Sequence, residues 1–214
     1  MNKKIYKRAL TLAVPMMIQN GITNMVSLVD NVMVGSLGTE AMTGVSIVGQ
    51  LFFVLSLAVF GGLSGPGIYG AQYYGKGDME GVRNTFRLKL WIGAFCAILG
   101  GIVLSALATP LIQLYLRGES AGMDSAGTLE FGMQYLQIML LTIIPFAITQ
   151  VYASSLRETG DSLKPMVAGV ISVVVDIVMN YILIYGKLGM PALGVRGAAI
   201  ATAVSYTHLT LPTN

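Results

Sequence analysis

Apolar residues gather along this chain in long runs, and the polar residues cluster between them. Five runs are long enough to span a bilayer, which takes roughly 17–25 residues: Ala9–Val34, Val45–Tyr69, Leu88–Leu116, Leu129–Leu156 and Pro165–Tyr185. A sixth opens near Val195, but only about ten helix-compatible residues pass before the polar, threonine-rich end Ser205–Asn214, SYTHLTLPTN. The pattern predicts an all-α polytopic membrane protein with an incomplete sixth span over 195–204.

Composition supports this reading. Of 214 residues 54% are hydrophobic and 11% charged, and mean hydropathy is +0.71. A soluble domain carries about a quarter charged residues, so this chain cannot cover a soluble surface of its size. Cys96 stands alone inside the third run, which leaves no disulfide and no CxxC chemistry.

The net charge of +3 gains meaning only from its placement. Lys3, Lys4, Lys7 and Arg8 precede the first run, and no cation separates the first from the second. Lys76, Arg83, Arg87 and Lys89 follow the second, then Arg117, then Arg157 and Lys164, then Lys187 and Arg196. The counts alternate 4, 0, 4, 1, 2, 2, so the positive-inside rule places the N-terminus in the cytoplasm. The basic character therefore belongs to topology, and nucleic acid is not a partner. The apolar run after MNKKIYKRAL is too long for a secretory h-region and has no A-x-A site after it.

SYTHLTLPTN resembles a translated sequencing-adapter tail. Residues 205–214 read as non-native, and the sequence before them as a fragment. The single histidine, His208, lies in this tail and takes no role.

Ten acids are present; eight fall in loops or at the ends of runs, and only Asp30 and Asp176 lie well inside them. An ionisable residue there costs about 2.5–3.5 kcal/mol on insertion scales, which makes it a functional candidate. Gln19, Asn20, Thr23, Asn24, Ser27, Asp30 and Asn31 recur at spacings of three and four, a polar stripe on one helical face. Ser172, Asp176 and Asn180 repeat at i, i+4, i+8. Lipid cannot satisfy such stripes, so they must face each other or a wet cavity. A helical rise of ~1.5 Å per residue puts Asp176 and Asn180 at ~16 and ~22 Å from Pro165, and Thr202 ~10 Å in from the opposite side. Asp30, Asp176, Asn180 and Thr202 then share one layer of the outer half, as a hard-oxygen site suited to a proton or small cation.

GIYGAQYYGKGD (Gly67–Asp78), RETGDSLKPM (Arg157–Met166), MNYILIYG (Met179–Gly186), LGVRGAAIAT (Leu193–Thr202) and LVDNVMVGSLGTEAMTG (Leu28–Gly44) resemble the multidrug and toxic compound extrusion (MATE) transporters. The resemblance covers residues 1–204. It implies the N-terminal six-helix lobe of a twelve-helix transporter, with the C-terminal lobe as partner. It further implies export of small organic cations, amphipathic drugs or metabolites, across a prokaryotic inner membrane in exchange for H+ or Na+. No other cofactor and no catalytic residue is implied. The family's coupling positions match Asp30, Asp176, Asn180 and Thr202, and Asp30, Asn180 and Thr202 are the expected Na+ ligands. The order Asp176–Asn180 is exchanged relative to some members. Pro15 matches the first-helix proline, where a missing N–H permits a bend. Asn20, Asn24, Ser27, Asn31, Gln50 and Ser172 are assigned with it to cavity lining or hinge. An exporter of lipid-linked sugars is the alternative, but its cavity should carry several cations, whereas no Lys or Arg is expected deep in these runs.

GPGIYG (Gly65–Gly70) fits G-x-G-x-x-G but ends an apolar helix, so close helix packing, including Gly61 and Gly65, is the favoured reading. GLSG (Gly62–Gly65) resembles the serine motif of rhomboid-like intramembrane proteases, yet Ser64 lacks a histidine base outside the tail. In RETGDSLKP, Gly160 suits a helix C-cap and Asp161 or Ser162 an N-cap before Pro165, with Arg157 and Glu158 bracing the lobe.

The charge alternation is testable. With Cys96 replaced, cysteines at Thr39 and Ser125 should react with impermeant thiol reagents added to intact cells, and one at Gly77 should not. Labelling at Gly77 with the other two protected reverses the orientation.

Overall fold

The computed structural model describes residues 3–116 and 124–210, and of residues 3–5, 7–9 and 207–210 the backbone alone. The described residues form eight helices: α1 Lys3–Gly35, α2 Thr39–Lys76, α3 Met79–Ala106, α4 Ala108–Leu116, α5 Ser125–Leu140, α6 Ile143–Glu158, α7 Leu163–Tyr185 and α8 Val195–Thr210. By length and composition α1, α2, α3 and α7 are able to cross a membrane, and α5 with α6, bent by 55° at their junction, makes a fifth candidate.

Two of the expected runs are broken, and prolines account for both breaks. A proline has no N–H for the carbonyl four residues earlier and its ring crowds that carbonyl. Pro110 does this to Ala106, where α3 ends, so the run expected over 88–116 is two helices, the first starting already at Met79. Pro145 does the same to Leu141, between α5 and α6. The last run also differs: α8 continues past Val204 to Thr210, because no helix breaker occurs before Pro212. Residues 205–210 of the supposed tail are thus helical, while 211–214 and the His208 side chain lie outside the described residues.

Short turns set the neighbours. At the end of α2 Gly77 adopts φ 78°, and its N–H donates to the Tyr73 and Tyr74 carbonyls. Asp78 then caps α3, accepting from Gly81 N at 2.9 Å, so the KGD triplet stops one helix and starts the next. After α6, Gly160 takes φ 90° and Asp161 Oδ1 accepts from Lys164 N at 3.2 Å. The side-chain hydrogen bond from Lys164 holds the Asp161 carboxyl below the usual carboxylate range.

The core gathers on α2, which packs against α3, α5 and α6, while α7 packs against α8 and α1. Val48, Leu136, Ile143 and Ile112 are buried at its centre. The helices meet closely where glycine removes a side chain. A Cβ on Gly44 would stand 2.7 Å from the Thr128 carbonyl oxygen and 2.8 Å from Gly132 N, so α2 and α5 touch backbone to backbone. Gly61 and Gly65, the expected packing pair, face open space. The contact lies instead at Gly67 and Gly70, where added Cβ atoms would come within 2.5 and 2.9 Å of the Glu158 carboxylate.

That carboxylate pairs with Lys89. Lys89 belongs in sequence with the loop cations, yet it is fully buried on α3 and also donates to Ser154 Oγ at 3.2 Å. The expectation of no deep cation is corrected here. Lys89 itself is enclosed, with serines of α6 at its ammonium, while the Glu158 carboxylate, against glycines of α2, stays partly exposed. Arg157 donates from Nη2 to Gln19 Oε1 at 3.1 Å, so both residues of the Arg157–Glu158 pair brace α6 against a neighbour.

Gly44→Ala should lower stability by about 1–3 kcal/mol, since only backbone could yield to the added methyl. Gly61→Ala, made into open space, should not. Thermal unfolding in detergent measures the difference, and equal midpoints for the two variants would remove the close α2–α5 contact from the account.

Candidate functional site

Asp30 lies one turn and a half before the end of α1, and Asp176 and Asn180 occupy successive turns of α7. The spacing i, i+4 stacks the latter two on one face, and α1 packs along that face. Asn180 Nδ2 donates to Asp30 Oδ1 at 2.8 Å and to Asp176 Oδ2 at 3.2 Å. One amide therefore uses both its hydrogens to join two carboxylates across a helix interface. Asp176 and Asn180 are buried and Asp30 half-buried.

Donors are scarce in this cluster. Asp176 Oδ1 and Asn180 Oδ1 are buried without a hydrogen-bond partner. A buried unpaired acceptor costs about 1–3 kcal/mol, and two carboxylates sharing one amide also repel each other. A proton or a hard cation would supply the missing positive charge, and carboxylate and amide oxygens are the ligands such cations take. Among the described residues no group of three or more His, Cys, Asp or Glu is placed so that it could hold a metal ion.

Thr202 finds its partners elsewhere. Its hydroxyl donates to the Ala198 carbonyl at 3.1 Å and lies 3.5 Å from Tyr135 OH. It is not hydrogen-bonded to the carboxylate–amide cluster, and of the expected Na+ ligands only Asp30 and Asn180 are brought together. Ser172, one turn before Asp176, is buried and donates to the Ser205 carbonyl at 2.7 Å, tying α7 to α8. Tyr135 was not singled out by the sequence because a lone tyrosine in an apolar helix carries no pattern. Tyr206 stacks edge-on with Phe146.

The remaining stripe of α1 stays open. Asn20, Asn24 and Ser27 are exposed, Asn31 is half-buried, and Gln50 is exposed on α2. Thr23 and Ser27 donate to carbonyls of their own helix, Gln19 and Thr23, at 3.0 and 3.2 Å. Pro15 is half-buried inside α1. Its missing N–H deprives the Thr11 carbonyl of its helical donor, and Ser162 Oγ donates to that carbonyl at 3.5 Å. In the GLSG motif the Ser64 hydroxyl donates to the Gly61 carbonyl at 2.9 Å, an ordinary back-bond within the helix.

The family model MatE matches residues 15–182. The chain is 32% identical over 206 residues to the probable multidrug resistance protein NorM of Thermotoga maritima, covering 94% of this chain and 42% of that protein. Multidrug resistance protein PmpM of Pseudomonas aeruginosa is 30% identical over 197 residues, covering 92% and 40%. A crystal structure of MATE in a bent conformation superposes with TM-score 0.81 at 26% identity, over 96% of this chain and 44% of that one. A MOP superfamily transporter from Pyrococcus furiosus gives 0.77 at 29% identity, over 96% and 43%. The chain thus spans less than half the length of the relatives it matches. Members of this family are transporters rather than enzymes, and the apolar helices make this chain a multi-pass membrane protein. With the family model matched across most of its helices, the chain belongs to the MatE family of multidrug efflux transporters.

Proposed function

We propose that the protein of which this chain forms one lobe exports small organic cations in exchange for H+ or Na+ across a prokaryotic inner membrane. In this reading the N-terminus is cytoplasmic, and a second lobe faces the open polar stripe of α1. The observation that carries the reading is the shared amide: Asn180 bonded to Asp30 and Asp176 at once, beside two buried oxygens with no partner. The coupling ion is a substrate here. It neutralises the two carboxylates and favours whichever conformation keeps α1 against α7. When it leaves, repulsion between Asp30 and Asp176 weakens that contact. Pro15, at the other end of α1, is where the helix bends in response, because its backbone bond to Thr11 is absent. Thr202 and Tyr135 lie beside the cluster, where their hydroxyls supply further oxygens to a small cation.

Asp30→Asn keeps shape and hydrogen bonding but removes the charge. In the complete protein it should abolish gradient-driven efflux while insertion and thermal stability stay at the parental level. Efflux at the parental rate under the same gradient would make the carboxylate structural. Asp176→Asn should impair coupling less, since Asp30 retains the charge.

Pro15→Ala should leave expression unchanged and slow transport in the complete protein. Efflux from preloaded cells measures it, and unchanged kinetics would reduce the proline to a tolerated packing feature.

A further inference from the structure

On the outer face of α3, far in sequence from the carboxylate cluster, residues four apart change character in order. Arg83, Arg87, Trp91 and Phe95 are all exposed, the tryptophan by 76% and the phenylalanine by 66%. Exposed Ile98, Leu99 and Ile102 continue the same side. Each four-residue step rises about 6 Å. The stripe therefore runs from guanidinium through indole to aliphatic carbon, the order of a lipid from phosphate through the ester region to its chains.

The two arginines also border a cavity of about 450 Å³ between α3 and α6. Phe86 and Leu90 line its apolar wall, and Ser155 and Thr159 bring hydroxyls. Glu158 lies at its edge, but Lys89 pairs with that carboxylate, so the arginine charges are not cancelled by it. Neither Arg83 nor Arg87 forms an ion pair among the described residues, although Glu80 is only one turn before Arg83. Two uncompensated guanidiniums over an apolar slot suit a phosphodiester, which they can hold through paired N–H donors.

We propose that this α3–α6 groove is a binding site for one anionic phospholipid. Arg83 and Arg87 grip the headgroup phosphate, Ser155 and Thr159 hydrogen-bond the headgroup, and the acyl chains descend along Trp91 and Phe95. The lipid seals the cavity above the Lys89–Glu158 pair and keeps water from it. The site is separate from the ion-coupling cluster and does not depend on how that cluster works.

Trp91 is the only tryptophan of the chain, so its fluorescence reports which lipid touches it. The chain is placed in bilayers of phosphatidylethanolamine that contain a small, equal fraction of bromine-labelled phosphatidylglycerol or bromine-labelled phosphatidylethanolamine. Labelled phosphatidylglycerol should quench at markedly lower mole fraction. Arg83→Gln and Arg87→Gln should each lower that preference about fivefold, the scale of one basic residue at an anionic surface. Arg196→Gln, removing an exposed cation elsewhere, should leave it unchanged, and Arg87→Lys should retain most of it. Equal quenching by the two labelled lipids in the parent overturns the proposal, as does an equal loss in Arg196→Gln. Millimolar inorganic phosphate should not reduce the quenching; if it does, the groove is a free-anion site rather than a lipid site. Should Arg83→Gln fail to insert, the contrast between Arg87→Gln and Arg87→Lys decides.

Discussion

Hydrocarbon offers no hydrogen-bond partner, so each polar group carried into a span must find one within the protein or be left without. Most of this chain obeys by turning hydroxyls back on their own helix, as Thr23, Ser27, Ser64 and Thr149 do. The carboxylates of Asp30 and Asp176 have no such local route. Their partner is the Asn180 amide, which links α1 to α7 together with the Tyr185 hydroxyl, a donor to the Met33 carbonyl at 3.4 Å. The rest of the lobe can hold α1 only lightly, since its other main neighbour is α2 and much of its surface is exposed.

A second polar group follows the same constraint with the opposite outcome. Lys89 and Glu158 lie against Gly67, Gly70, Ser154 and Ser155, and the lysine's donors reach the carboxylate and both serines. Lys89 is fully buried and Glu158 partly so, and removing one partner from such a pair is costly because the other is left uncompensated. The pair therefore acts as a fastener that keeps α2, α3 and α6 in register. The cluster of Asp30, Asp176 and Asn180 differs because it has too few hydrogens for its oxygens. The Lys89 ammonium has its acceptors at hand, whereas the second cluster leaves two buried oxygens without a donor.

Proline divides the helices along related lines. Pro110 and Pro145 end one helix and start another, with a 55° bend at the second, because there the chain can leave the helical path between packed segments. Pro15 and Pro66 lie inside helices that continue. At Pro15 the freed carbonyl of Thr11 receives the Ser162 hydroxyl, so the same residue type gives a break in one place and a stabilised irregularity in another.

Much of this was legible from the order of residues alone. Run length gave the spans, because apolar length against bilayer thickness is a local property. Spacing gave the polar stripes and Asp30, Asp176 and Asn180, because helical periodicity places i and i+4 together before any packing is known. Gly160 and Asp161 announced their turn for the same local reason. Other features waited for the tertiary structure. Lys89 looked like a loop cation until α3 was seen to begin at Met79 and to bury it against Glu158, a residue far along the chain. Gly67 and Gly70, rather than Gly61 and Gly65, met a neighbour because helix rotation decides which glycine faces inward. Tyr135 joined Thr202, and Thr202 made no hydrogen bond to the carboxylates, because equal depth does not specify azimuth around a bundle. Sequence determines what each helix carries and at what height; only packing decides which faces meet, since that choice minimises unpaired polar groups over all the helices at once.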